Sequence, residues 1–126
     1  MQVAVWIVVA ALSGTLAVVL GAFGAHGLER IADPSQLDAW STASEYHLLH
    51  SVALLALALY GARSERSVRI PASLFAAGIV LFSGSIYALV LTGMSWLGPV
   101  TPLGGVCLIA GWLSLLGLAR PARAQS

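Results

Sequence analysis

This sequence of 126 residues is poor in charged residues and has a single cysteine. Charged residues make up 9% of the chain and lysine is absent, whereas soluble domains carry about a quarter charged residues. The six arginines are scattered, so there is no basic run of the kind that binds nucleic acid. The single cysteine, Cys107, excludes an intramolecular disulfide and a zinc-binding cysteine pair. Because it lies in an apolar run, we expect it to act as a small hydrophobic side chain.

Hydrophobic residues account for 59% of the chain and form four long runs. A helix needs about 20 apolar residues to cross ~30 Å of hydrocarbon. We therefore predict an all-α integral membrane protein of one domain, an antiparallel bundle of four transmembrane helices. The spans are expected at about residues 3–25, 42–61, 71–92 and 102–119, with a polar connection and helical lead-in over residues 26–41. The first run is too long for the apolar region of a signal peptide and has no preceding positive charge, so it is interpreted as a span.

The second span has a clear helix start. Asp33 is placed as the N-cap and Pro34 at the first helical position, and nothing breaks the helix before Gly61. A helix of that length exceeds the hydrocarbon thickness. We therefore expect its first turns to lie at the interface, with Trp40 as an aromatic anchor.

Helical spacing separates the histidines of this span from its carboxylate. Ala43, His47, His50 and Leu54 share one face, while an advance of 100° per residue puts Glu45 on the opposite side. We expect the histidines to face the bundle and Glu45 to face water or head groups. This spacing argues against a His-His-Glu metal site within the helix.

Small side chains mark the expected contacts between helices. In lipid, helices associate by close packing rather than by expelling water, so small residues favour contact faces. A stripe on the first span consists of Ser13, Ala17, Gly21 and Ala25, and the further packing positions are Gly84, Gly104 and Gly111.

The arginines predict the orientation. With four spans, five of the six fall on the side that carries both termini, and only Arg30 falls on the other. The positive-inside rule then places both termini in the cytoplasm. The five are Arg63, Arg66, Arg69, Arg120 and Arg123.

Polar side chains gather in the outer half of this arrangement. His26 ends the first span, and His47 and His50 enter the second, so we expect His26 and His50 to lie close enough to share a partner. The predicted cluster, which either binds a ligand or ties the helices together, consists of His26, Tyr46, His47, His50, Ser83, Ser85, Tyr87 and Thr101.

The residue types of this cluster are compatible with several uses. His26, His47 and His50 could hold zinc or copper with a water, or handle a solute or protons, but no cysteine or carboxylate joins them. The apolar runs contain no aspartate or glutamate, and no serine stands in a nucleophile motif, which disfavours a proton-coupled exporter and an enzyme. The favoured interpretation needs no cofactor or metal. In it, an accessory or binding protein contacts lipid, a small molecule, a second copy of itself or another membrane protein.

Motifs in all four runs carry a family resemblance. They include Leu20–Gly27, Trp40–Ala43, Leu81–Tyr87 and Thr101–Gly105. The chain resembles the YgdD-like family of small bacterial membrane proteins, whose animal counterpart is transmembrane protein 256. The resemblance implies an inner-membrane protein of four helices and unassigned activity. His47 departs from the family pattern, which has glutamine there, whereas the matching positions are His26, Glu45, Tyr46, His50, Ser83, Gly84, Tyr87, Pro102 and Gly104.

Overall fold

The computed structural model describes residues 2–121, which are helical throughout apart from short connections and contain no strand. Arg123, counted above for the orientation, lies outside the described residues. A π-helical segment, Ile79–Gly84, joins α3 to α4 in one continuous helix, Arg69–Thr92. The helices are α1 Gln2–His26, α2 Pro34–Arg63, α3 Arg69–Gly78, α4 Ser85–Thr92 and α5 Val100–Ser114, with 3₁₀ turns at Leu28–Arg30, Ser95–Leu97 and Leu115–Gly117.

Three helical segments are long and apolar enough to cross a membrane, judged by length and composition. They are Gln2–Arg30, Arg69–Thr92 and Ser95–Gly117. The prediction of an all-helical protein with long apolar helices is therefore confirmed. Helix α2 is 30 residues long but begins with a polar lead-in, and a crossing by α2 stays a prediction.

Helix α2 begins where its sequence signals place the start. The Asp33 side chain accepts a hydrogen bond from the backbone N–H of Gln36 at 2.8 Å. The Gln36 side chain accepts one from the backbone N–H of Asp33 at 2.9 Å, and Pro34 occupies the first turn. This reciprocal capping satisfies N–H groups that a helix start otherwise leaves without partners.

The helices pack in chain order, with α2 in a central position. Helix α1 runs antiparallel to α2, because Gly24 lies beside Trp40 while Gly61 lies near Val3. The opposite side of α2 contacts the α3–α4 helix, which in turn contacts α5. Two buried hydrophobic clusters fill these contacts. One consists of Ala10, Leu54, Leu57, Val68, Ala72, Phe75, Ile79 and Leu108, and the other of Leu28, Trp40, Ala43 and Tyr87.

Glycines bring the α3–α4 helix and α5 into close contact. A Cβ added at Gly104 would lie 2.1 Å from the backbone nitrogen of Phe82, and one at Gly78 would lie 2.3 Å from Leu108 Cδ2. A Cβ at Gly111 would meet a phenylalanine ring of α3 at 2.8 Å. The two helices therefore approach closely along their length, as small residues permit in lipid.

The small-residue stripe of α1 faces α2 over most of its length. Ala17 is buried, and a Cβ at Gly21 would lie 3.9 Å from the Ser44 side chain, an ordinary contact distance. Ala25, at the end of the stripe, is exposed.

Trp40 is not an interfacial anchor, and that expectation is wrong. Its side chain is 1% exposed, and its Nε1–H donates to the backbone oxygen of Leu20 at 2.8 Å. The indole fits against α1 because Gly24 has no side chain, and its ring lies 4.6 Å from that of Tyr87. An indole can be buried when its N–H finds an acceptor, and the Leu20 carbonyl supplies it.

Arg66, counted above only as a charge, has a structural role at the end of α5. Its guanidinium donates to the backbone oxygens of Gly117 at 3.2 Å and Leu118 at 3.1 Å, and also to that of Arg120. Helix C-termini leave carbonyl groups without partners and favour positive charge. Arg66 therefore fastens the turn after α2 to the chain that follows α5.

Candidate functional site

A chain of hydrogen bonds crosses the interior from α4 through α2 to α1. At its centre is His47, 3% exposed, whose Nδ1 lies 3.1 Å from Tyr87 Oη and whose Nε2 lies 3.1 Å from Ser13 Oγ. Ser13 Oγ lies 2.6 Å from Ser51 Oγ, and the Ser51 hydroxyl donates to the backbone oxygen of His47 at 2.7 Å. We call Ser13, His47, Ser51 and Tyr87 the polar chain.

Counting hydrogens gives every bond of the polar chain a direction. The one hydroxyl hydrogen of Ser51 goes to the His47 carbonyl, so Ser13 must be the donor to Ser51. The hydrogen of Ser13 is then used, so His47 Nε2–H donates to Ser13. Because burial of His47 disfavours the charged imidazolium, the ring is the neutral tautomer with hydrogen on Nε2, and its Nδ1 accepts from the Tyr87 hydroxyl.

This assignment leaves the polar chain with acceptor capacity only. All four side-chain hydrogens that it can donate are engaged within it. A hydroxyl oxygen has two lone pairs. Tyr87 Oη donates to His47 and accepts from no member of the chain, so its lone pairs stay available to a donor from outside.

His50 lies one turn further along α2 and has the opposite arrangement. Its Nδ1 lies 2.7 Å from the backbone oxygen of Tyr46, which can only accept, so Nδ1 carries the hydrogen. The Trp112 Nε1–H donates to His50 Nε2 at 3.0 Å. The Tyr46 ring stacks on the His50 ring with centroids 5.8 Å apart. His50 thus joins α2 to α5.

The other hydroxyl groups of the predicted cluster, on Ser83, Ser85 and Thr101, form hydrogen bonds between neighbouring helices. Ser83 Oγ donates to the backbone oxygen of Ala43 on α2 at 2.7 Å. Ser85 Oγ donates to the backbone oxygen of Phe82 at 2.9 Å, so Thr101 on α5 must donate to Ser85, 2.6 Å away. Ser83 and Ser85 are both buried, and these bonds satisfy them.

The π-helical segment Ile79–Gly84 sits beside this network. Such segments are rare, occur mostly as single turns within α-helices and are frequent at functional sites. This one carries Ser83, which donates a hydrogen bond to α2, and Gly84, which lines a groove between α1 and the α3–α4 helix. The irregular part of this helix therefore coincides with the buried polar groups and the edge of the groove.

A groove of about 350 Å³ separates α1 from the α3–α4 helix, with α2 behind it. Its polar lining comes from three members of the polar chain, Ser13, His47 and Tyr87. Ligand sites are concave, mostly apolar and furnished with a few polar groups, as this groove is. We call it the α1–α3 groove; its other lining residues are Val9, Leu12, Leu16, Leu54, Ala76, Ile79, Val80 and Gly84.

The structure does not bring His26 to this group. His47 lies at the level of Ser13, whereas His26 is exposed thirteen residues further along α1, about 20 Å at 1.5 Å per residue. His50 pairs instead with Tyr46 and α5, so the expectation that His26 and His50 share a partner is wrong. His26 ends one apolar run and His47 and His50 begin the next, which predicted that all three lie near one border of the membrane. In the structure, His47 lies beside the middle of α1 instead.

Metal ligation does not fit the observed geometry. Within residues 2–121, no three side chains from His, Cys, Asp or Glu are grouped so that they could hold a metal ion. Both ring nitrogens of His47 and of His50 are engaged in hydrogen bonds. A metal there would have to displace the contacts that join these helices.

Two residues of the network were missed from the sequence. Ser51 is four positions after His47 and therefore on the same helical face, a signal that was available. Trp112 gave no such signal, because its bond to His50 depends on how α5 packs.

A family model described as "Protein of unknown function (DUF423)" matches residues 20–105. The UPF0382 membrane protein YwdK of Bacillus subtilis is 44% identical over 114 residues, covering 89% of this chain and 93% of that protein. A UPF0382 membrane protein of Haemophilus influenzae is 41% identical over 110 residues, covering 87% and 89%. The UPF0382 membrane protein C1782.12c of Schizosaccharomyces pombe is 45% identical over 114 residues, covering 86% and 95%. No solved structure matches the chain.

Proposed function

The chain belongs to the DUF423 family of proteins of unknown function, whose relatives are named membrane proteins, and on that premise we propose that it binds a small lipid-soluble molecule in the α1–α3 groove. The molecule enters sideways from the hydrocarbon. Its polar end meets the polar chain, and its apolar part lies along α1.

The proposed setting is the bacterial inner membrane, crossed four times with both termini in the cytoplasm. Three apolar helices support three crossings, and the antiparallel contact of α1 with α2 supports a fourth. Arg66 and Arg69 lie on the side of the α1 N-terminus, where the positive-inside rule expects them. Arg30 lies after the opposite end of α1.

The observation that carries the proposal is the position of polar groups at the inner wall of an open apolar groove. Leu12 and Leu16 at its edge are 67% and 51% exposed, so hydrocarbon reaches them directly in a membrane. Polar side chains at membrane depth are costly and usually mark sites of function. A purely structural latch would not need an adjacent groove of ligand size.

Catalysis by the polar chain is disfavoured by the direction of its hydrogen bonds. A serine nucleophile needs a base that accepts its hydrogen. Here Ser13 gives its hydrogen to Ser51 and accepts one from His47, which is the reverse arrangement. Binding is therefore better supported than hydrolysis.

The test fills the groove without disturbing its walls. A Cβ added at Gly84 would have Ile79 O, at 4.0 Å, as its nearest neighbour, so Gly84→Leu extends into open space. Gly117→Leu is the matched control, because its Cβ would meet no described atom within 4 Å. Small molecules that co-purify in mild detergent are extracted and identified by mass spectrometry.

We expect a molecule that accompanies the parent and Gly117→Leu at near-equimolar amounts and is at least tenfold depleted from Gly84→Leu. Equal amounts in both variants, with unchanged thermal stability, would contradict binding in the groove. Absence of any such molecule from the parent would contradict it as well.

A further inference from the structure

We infer that the molecule held in the α1–α3 groove is an apolar alcohol, whose hydroxyl group donates its hydrogen to Tyr87 Oη. This inference rests on the proposed binding function and specifies the chemistry of the ligand. It follows from whether the polar groups of the groove can donate or accept a hydrogen bond.

The groove offers acceptors and no side-chain donor. Ser13, His47 and Tyr87 are its polar lining side chains, and each spends its hydrogen inside the polar chain. The other lining residues carry apolar side chains or none. A carbonyl or ether oxygen placed there would lose its water and find no donor, which is costly in an apolar site. A hydroxyl hydrogen would find a lone pair.

Tyr87 is the better acceptor of the two hydroxyl oxygens. Ser13 Oγ already takes part in two bonds, one as donor to Ser51 and one as acceptor from His47. Tyr87 Oη takes part in one, as donor to His47. Because donation to His47 polarises the phenol oxygen, a second bond in which Tyr87 accepts is reinforced by the first.

The length of the groove limits the apolar part of the ligand. Its α1 lining runs from Val9 to Leu16, about 10 Å at the helical rise. A volume of about 350 Å³ lies at the small end of ligand sites. A single short chain with one hydroxyl group fits these dimensions.

Decanol and decanal provide the direct comparison, since they share a carbon skeleton and only decanol can donate. The chain contains no lysine side chain with which the aldehyde could form a Schiff base. Binding is measured by native mass spectrometry of the detergent-solubilised full chain. We expect decanol to bind at least tenfold more tightly than decanal, and Gly84→Leu to abolish binding of both.

Tyr87→Phe identifies the acceptor while keeping the aromatic ring. We expect it to reduce the preference for decanol over decanal to within twofold. Tyr60→Phe makes the same change at an exposed tyrosine outside the groove lining and should retain the preference. Equal binding of both probes to the parent, blocked by Gly84→Leu, would overturn the alcohol inference and leave the groove as a binding site. Failure of both probes to bind the parent would overturn the inference together with the proposed function.

Discussion

His47 and His50, one turn apart on the same face of α2, are neutral tautomers of opposite kind. His47 carries its hydrogen on Nε2, which donates to Ser13, and His50 carries it on Nδ1, which donates to the backbone of Tyr46. The acceptor nitrogen of His47 faces Tyr87, and that of His50 faces Trp112. The His47 ring thereby joins α2 to α1 and α4, and the His50 ring joins α2 to α5.

The first prediction is the tautomer pair itself. Ring nitrogens with and without hydrogen have distinct ¹⁵N chemical shifts, so histidine-labelled protein in detergent reports both directly. We expect hydrogen on Nε2 of His47 and on Nδ1 of His50, with assignments checked in His47→Gln and His50→Gln. The same tautomer at both residues would contradict the directions derived for the polar chain.

The second prediction concerns the bond between Trp112 and His50. Hydrogen bonds between transmembrane helices contribute on average about 0.6 kcal/mol. A double-mutant cycle of Trp112→Phe and His50→Leu, measured by unfolding in detergent, should give a coupling free energy of that size. His50→Gln should be less destabilising than His50→Leu, because an amide still donates and accepts. A coupling of zero would show that the 3.0 Å contact adds no stability.

The third prediction compares two neighbouring glycines of α5. A methyl group at Gly104 would lie 2.1 Å from a backbone nitrogen, whereas one at Gly105 would lie 3.9 Å from the edge of the Phe82 ring. Overpacking costs about 1–3 kcal/mol and more where backbone must move. We expect Gly104→Ala to lower thermal stability strongly and Gly105→Ala to leave it near the parent value. Similar stabilities would contradict the close approach of α5 to the π-helical segment.

The fourth prediction concerns orientation. With Cys107 replaced by alanine, single cysteines are placed at the exposed residues Ser35 and Glu65. Glu65 is preferred to its neighbour Arg66, because Arg66 donates hydrogen bonds to the backbone that follows α5 and its replacement would remove them. An impermeant thiol reagent applied to intact cells should label Ser35→Cys and not Glu65→Cys, and cell lysis should equalise them. The reverse pattern would place both termini outside.

Much of the fold follows from local sequence, and α2 shows why. Its N-cap at Asp33 depends on residues three positions apart, and its inward face depends on the helical repeat alone. Ala43, His47, His50 and Leu54 are accordingly buried while Glu45 is exposed, as the spacing predicts. The same local rules predicted an all-helical membrane protein, because run length and missing charge require no knowledge of packing.

By itself, then, the sequence determined that the protein is an all-helical membrane protein, where its helices lie and which face of α2 is buried. Only the tertiary structure decided that Trp40 is buried on Gly24, that His26 stands apart, and that Ser13 completes the bonding of His47. The physical reason is the solvent. In lipid, an apolar face suits hydrocarbon and protein equally, so hydrophobicity does not say which helices meet. Which helices pack together is decided by close approach at glycines and by the pairing of buried polar groups. Both depend on residues that are far apart in the chain.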